Sequence, residues 1–428
     1  MSQADITLLG VGDVTLRDVV GSAQRVIQDP NPLERFALVA PVLKQADILF
    51  GQLEEVLANS DYLDQANYWN TTVKGGDKIA KVLAAVGFNV MSNASNIHYN
   101  AGPEALLQTM KHLRENNILP VGVGKNIAEA RVPAVIERNG VKVAFLGYSS
   151  VLPKGGEATF EARAAKPGCN PMWINTFYDQ IDYQPGTPPR IITFAEKECL
   201  RDMEEDIKNA RGQADVVVMS FHWGIHHIPA VIAQYEYEVG HAAIDAGADL
   251  IFGHHPHLIK GIEVYKGKVV FHSLANFIKA GVDVKPGRRG YWEDMRPPMR
   301  ELNEMGWSQA TPAGRSSSEY FAPNYPQHEE RQSTIAKAVI SGKTKRIEKV
   351  SFIPLLIDEA HRPEPLFEND KRSEEVERYV AWATSTARMD TRFRREGDEV
   401  VIQTEEPAAR SLGDQRAAAE PRIPAGAR

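Results

Sequence analysis

Three imidazoles fall within four residues at His254-His255-Pro256-His257, directly after Gly253 and the apolar run Leu250-Ile251-Phe252. Neutral imidazole is a good ligand for Zn, Mn or Fe near neutral pH. A buried strand that stops at such a cluster is how an α/β fold presents ligands at the carboxyl edge of a sheet. Four other apolar runs end in polar, ligand-type residues. The run from Ile6 to Gly12 ends at Asp13, and Ile48 to Leu53 at Glu54. Phe88 to Met91 leads to Asn96, and Asp215 to Phe221 ends at His222. Two carboxylates, three imidazoles (His222, His255, His257) and one amide oxygen, in chain order and at one topological end, are a donor set for one or two divalent ions of Mn, Zn or Fe. With two ions, a bridging carboxylate would hold them about 3.5–4 Å apart.

The neighbours of these residues carry alternatives. Glu55 competes with Glu54, and Asn96 is also a residue that caps turns. On an extended backbone His254 points away from His255, toward packing or a hydrogen bond behind the ligands. His98, His226 and His227 follow strand ends and are open to proton transfer or to ordinary packing. Gly122-Val123-Gly124-Lys125-Asn126 lacks phosphate-loop spacing and reads as a strand-end turn. Asn276 is either a turn residue or a support for a ligand. Arg288, Arg289 and Arg296 are a charge cluster open to anion binding or to plain solvation.

Strands alternating with helical periodicity must position these residues, which predicts an α/β core. Helices are expected over about 33–46, with a kink or break at Pro41, and over about 77–86, 104–116, 195–210, 231–246 and 373–384. Asn139-Gly140 and Lys266-Gly267 predict hairpins, so the sheet is mixed or divided in two. Residues of about 151–190 and 283–331 show little periodicity and read as irregular insertions; loops of that length are functional or disordered. The domain is expected to span 1–403, with a disordered tail over 404–428.

Composition bounds the function. The 428 residues carry 49 basic and 56 acidic side chains, and 49 − 56 = −7 disfavours nucleic acid as a general partner. Two cysteines, Cys169 and Cys199, build no disulfide framework and fit a reducing compartment. No stretch reaches the roughly 18 apolar residues of a membrane span. The start lacks the features of a signal peptide, so the expected location is cytoplasmic.

Taken together, several blocks resemble the CapA family, linked to capsule and poly-γ-glutamate synthesis. They are Gly12-Asp13 with Arg17, Gln52-Leu53-Glu54, Ala94-Ser95-Asn96, His222-Trp223-Gly224, Gly253-His254-His255-Pro256-His257 and Ser273-Leu274-Ala275-Asn276-Phe277. The resemblance implies the calcineurin-like metallophosphatase fold, a four-layer αββα sandwich of two mixed sheets with metals at one edge. It also implies that Glu54 bridges, that Asp13 and His257 bind one ion, and that Asn96, His222 and His255 bind the other. The usual Asp-x-His is Asp13-Val14-Thr15 here, so the first ion lacks a histidine. The family places His directly after the asparagine and an acidic residue three positions on; here these are Ile97 and Asn100, with the histidine displaced to His98. After His-Trp-Gly the family has x-Glu-Tyr, and this chain has Ile225-His226-His227. The expected function is a metal-dependent hydrolase acting on a small anionic or polymeric substrate, an amide such as a γ-glutamyl peptide or a phosphoester. The alternative is a non-hydrolytic accessory protein of polymer assembly.

Overall fold

The structure is a computed structural model that describes residues 4–16, 18–20, 24–26, 30–64, 69–73, 75–153, 159–180, 182–184, 189–278, 282–283 and 328–404. Arg17, Arg288, Arg289, Arg296, nearly all of the 283–331 insertion and the tail after Thr404 lie outside the described residues.

The apolar runs form the centres of two mixed sheets. In the first, Ile6–Val14, Ile48–Leu53, Val90–Ser92 and Leu119–Val121 run parallel. On the other flank of Ile6–Val14 the antiparallel strands Gln332–Ile340, Ile347–Ile357, Glu399–Gln403 and Arg392–Glu396 extend the sheet. Asn276–Ile278 pairs in parallel with the end of Ile6–Val14. In the second sheet, Val141–Ser149, Val216–His222, Leu250–His254 and Lys268–Phe271 are parallel neighbours. Ala134–Arg138 and Ile262–Tyr265 close its edges as hairpins. Both hairpins turn as expected: Asn139 and Gly140 have φ of 49° and 75°, and Lys266 and Gly267 have 49° and 74°. Two successive positive φ values define the turn whose twist suits paired strands.

Side chains alternate across each strand, and the packing follows. Leu8, Phe50, Phe145, Val218 and Phe252 fill the space between the sheets, where Phe50 and Phe145 stack at 5.5 Å. On the outer face of the first sheet, Leu9, Val11 and Leu49 pack on Ile79 and Leu83 of the helix Gly76–Val86 and on Leu113 of Gly102–Glu115. On the outer face of the second, Val217, Met219 and Ile251 meet Met203 and Ile207 of Lys197–Arg211 and Val239 and Ala243 of Gln234–Ala246. The layers are therefore helix, sheet, sheet, helix, the four-layer α/β sandwich that the family resemblance implied.

Local departures have physical causes. Over 33–46 the chain makes a 3-10 turn, Pro32–Phe36, and one helical turn, Ala40–Leu43, each with its proline at the start. Proline suits a first turn, so Pro41 begins the second piece instead of kinking a single helix. Within 151–190 a hairpin forms from Ile174–Asp179 and Arg190–Ala195. Its strands are mostly half-exposed, so no apolar alternation marks them. Val123–Gly124 pairs with Gly168–Cys169, and Asn126 caps the turn Ile127–Ala130, so the Gly122–Asn126 stretch is a strand-end turn as expected. A small sheet of Val282–Asp283, Asp18–Val20, Gln24–Val26, Trp69–Val73 and Ser60–Asp64 follows the ends of three strands of the first sheet. Among the described residues, no helix is long and apolar enough to cross a membrane.

Candidate metal centre

The six ligand candidates converge where the parallel strands of both sheets end. Close backbone approach places the first. A Cβ at Gly12 would lie 2.0 Å from the Ala275 carbonyl oxygen, and Asp13 N donates to that oxygen at 2.9 Å. Only glycine allows this contact, which seats Asn276–Ile278 against the strand that delivers Asp13. Glu54 follows directly after the end of the neighbouring strand Ile48–Leu53, with its N–H donating to Val14 O at 3.0 Å. Glu55 is occupied elsewhere, its Oε1 accepting from Leu16 N at 3.0 Å.

The histidine turn is wound in the left-handed region, with φ of 97° at His255 and 58° at His257. For a residue with a Cβ this costs about 1–2 kcal/mol, and such strain persists where the surroundings enforce it, commonly at functional sites. The result aims both imidazoles at the carboxylates. His257 Nδ1 lies 3.2 Å from Asp13 Oδ2 and 3.7 Å from Glu54 Oε2. His222 Nε2 lies 3.8 Å from Glu54 Oε1, 3.1 Å from His255 Nδ1 and 2.7 Å from Asn96 Oδ1. His254 is fully buried against Phe50, with Nδ1 3.6 Å from Asp13 Oδ1. Asn276 Nδ2 donates to the His257 and Glu330 carbonyls, both at 3.3 Å.

Two triads result, Asp13/Glu54/His257 and Glu54/His222/His255, each with its ligand atoms within 4.8 Å of one another. Glu54 belongs to both and turns a different oxygen to each. Burial holds the imidazoles of His222, His226 and His255 well below the usual histidine pKa, and the neighbouring histidines push the same way. They are therefore neutral at neutral pH, the state that binds metals. Asp13 Oδ1 is buried and accepts no hydrogen bond among the described residues. A buried carboxylate oxygen left so is unfavourable unless a cation reaches it. Hard carboxylates with borderline imidazoles and an amide oxygen suit Mn, Fe or Zn, so the donor set fits the divalent ions that the fold implies.

The three candidate proton-transfer histidines separate. His98 is buried, with Nδ1 against Ser95 O and Nε2 3.1 Å from Phe160 O, so both ring nitrogens face main-chain carbonyls and the neutral ring donates to one of them. Burial lowers its pKa to about 4. His226 stacks on His255 at 3.7 Å between ring centres and on His257 at 5.1 Å. His227 Nδ1 pairs with Glu330 Oε1 at 2.7 Å, and its ring faces His257 at 5.4 Å. Strand-end reasoning missed Glu330 because it precedes Gln332–Ile340, a strand that starts at this edge by running antiparallel to Ile6–Val14. The fully buried Lys260, which donates to the loop after His222, had no sequence signal beyond being a lysine.

Comparison with known proteins agrees with the blocks that built the site. The CapA protein of PGA biosynthesis from Bacillus subtilis (strain 168) is 28% identical over 269 residues, 63% of this chain and 62% of that protein. The capsule biosynthesis protein CapA of Bacillus anthracis is 28% identical over 277 residues, 64% of this chain and 59% of that protein. The chain thus spans about six-tenths of the length of these relatives. The solved calcineurin-like phosphoesterase YfkN from Bacillus subtilis aligns over 90% of this chain and 98% of its own at 11% identity, with a TM-score of 0.41, too low to add to the layers seen directly. The model of the bacterial capsule synthesis protein family PGA_cap matches residues 7–280, which include every ligand candidate, and the chain belongs to that family.

Proposed function

We propose that this protein is a metal-dependent hydrolase of the capsule synthesis family. The observation that carries the reading is the pair of triads joined through the two oxygens of Glu54. Asp13, Glu54 and His257 would hold one divalent ion, and Glu54, His222, His255 and Asn96 the other. Divalent ions in such a set supply Lewis acidity and a water that ionises near neutral pH. The remaining chemistry falls to the chain. Glu54 fixes the spacing of the two half-sites. Asn276 steadies the His257 carbonyl, and Glu330 orients His227. His227 then protonates the leaving group, the part that the carbonyl-bound His98 cannot take without giving up a contact.

The substrate class follows from chemistry and kinship. Cations at the centre favour an anionic amide or phosphoester, and relatives named for PGA biosynthesis favour a γ-glutamyl amide. The expected partner is this substrate, with neither nucleic acid nor membrane called for, and the expected location is cytoplasmic. His98 favours a second reading, a non-hydrolytic accessory of polymer assembly, because the displaced family histidine is tied to the main chain.

The test is metal content and turnover of the full chain with Mn, Zn or Fe on γ-glutamyl peptides and phosphoesters. About two metal equivalents and metal-dependent turnover lost in a folded His255→Ala variant are expected. Less than one equivalent, with no turnover on either substrate class, would leave the accessory reading.

A further inference from the structure

The stretch from Gly224 to Ala233 carries His226 and His227 but has no helix or strand of its own. His227 and Ala230 both sit at φ of 55°, in the left-handed region. Such a loop keeps its shape only if other groups satisfy its backbone. Gly224 N donates to the Tyr235 hydroxyl at 2.6 Å, and Ala233 N to Glu236 Oε1 at 2.7 Å. His227 N donates to Pro256 O at 3.0 Å, inside the histidine turn. Two carbonyls at the loop's centre, those of Ile228 and Val231, accept from one side chain, Lys260 Nζ, the second at 2.8 Å.

Lys260 is an unusual residue for that task. It is 1% exposed, and among the described residues no carboxylate lies within ion-pair distance of its ammonium. Burial lowers its pKa to about 8, with the field of Glu236 opposing. A buried ammonium without an ion-pair partner is a poor way to stabilise a fold, and an apolar side chain of similar volume commonly does as well or better. What the ammonium supplies, and an apolar chain cannot, is a point charge with donors for two carbonyls of one loop.

We propose that Lys260 is a positioning residue of the centre: its ammonium is an internal cation that fixes the Gly224–Ala233 loop, and with it His226 and His227, against the His255 and His257 imidazoles. The proposal rests on the reading of this site as hydrolytic in so far as His227 is its proton donor. The placement of the loop can be measured without that reading.

The test uses K260A and K260M in the full chain. Both variants are expected to fold and to keep the parent's metal content, while kcat falls roughly 100-fold, the loss typical of reacting groups displaced by about 1 Å. Methylammonium is expected to restore most of the loss in K260A, where it can occupy the vacated space, and none in K260M. Adding K260M to H227A is expected to cause no further loss. Unchanged turnover in both variants would overturn the proposal, and so would an equal loss in the H227A background. A K260M chain that does not fold also overturns it, since the lysine would then hold the fold and not the loop. If the parent turns over nothing, the hydrolytic reading fails and amide hydrogen exchange decides this one. Faster exchange over residues 225–232 in K260A, slowed again by methylammonium, supports the clamp. Unchanged exchange refutes it.

Discussion

Replacing Glu54 by glutamine is expected to stabilise the metal-free protein and to weaken the metal-loaded one. Without ions, Asp13 and Glu54 place carboxylate oxygens within 4.8 Å of each other in a buried site. With both ionised and an effective dielectric constant of about 20, their repulsion is about 3.5 kcal/mol. The Glu54→Gln change keeps the shape and removes that term, so in EDTA the variant should melt several degrees above the parent. Metal reverses the order. An ion present at a hundredfold its Kd adds about 2.7 kcal/mol to the folded state, and two ions about twice that, more than the repulsion they replace. The variant loses the ligand shared by both triads, so most of that gain should vanish. Thermal melts of both proteins in EDTA and in excess Mn check this. A parent that melts at or above the variant in EDTA, or Mn shifts of equal size, would refute the shared-carboxylate geometry.

Three further outcomes follow from the same structure. Ala275 stands at φ of 63°, in the left-handed region that favours glycine, so Ala275→Gly is expected to raise stability by up to about 1 kcal/mol in urea unfolding. His227→Ala is expected to lower kcat by roughly 100-fold with metal content unchanged, whereas His98→Ala leaves turnover within a small factor, both read by steady-state kinetics. His272 is buried between Glu236 and Glu263; burial alone would lower its pKa, but the two carboxylates, one hydrogen-bonded to Nε2 at 3.2 Å and the other 3.5 Å from Nδ1, raise it. Its contribution to stability is therefore complete below the unfolded-state pKa and is lost as pH rises through the higher folded-state value. The stability gap between the parent and His272→Gln should shrink from pH 6 toward alkaline pH in urea titrations.

Much of this architecture is legible in the chain. Strands such as Ile48–Leu53 and Val216–His222 are buried on both faces and so read as continuous apolar runs that stop at their ligands. The two Asx/Lys-Gly turns declare their hairpins through a backbone that few other residue pairs adopt. What cannot be read are features fixed by tertiary contact alone. The hairpin Ile174–Asp179/Arg190–Ala195 leaves Phe177 and Tyr178 exposed, so burial writes no pattern into it. Glu330 reaches His227 because an antiparallel strand begins at the edge where the parallel strands end. Lys260 looks like any surface lysine until the fold encloses it.

The seam between the sheets sets a clock on synthesis. Asp13, Glu54 and Asn96 come from the first sheet, and His222, His255 and His257 from the second. From Asp13 to His257 is 257 − 13 = 244 residues. At about 5–20 residues per second, the last ligand leaves the ribosome about 12–50 s after the first. Neither triad is complete until His255 and His257 arrive, so before then a nascent chain offers a passing ion only separate carboxylates, an amide and the His222 imidazole. Metal capture at the proposed centre would thereby be deferred until both halves of the sandwich have met, and the ion bound would be the one that suits the finished site.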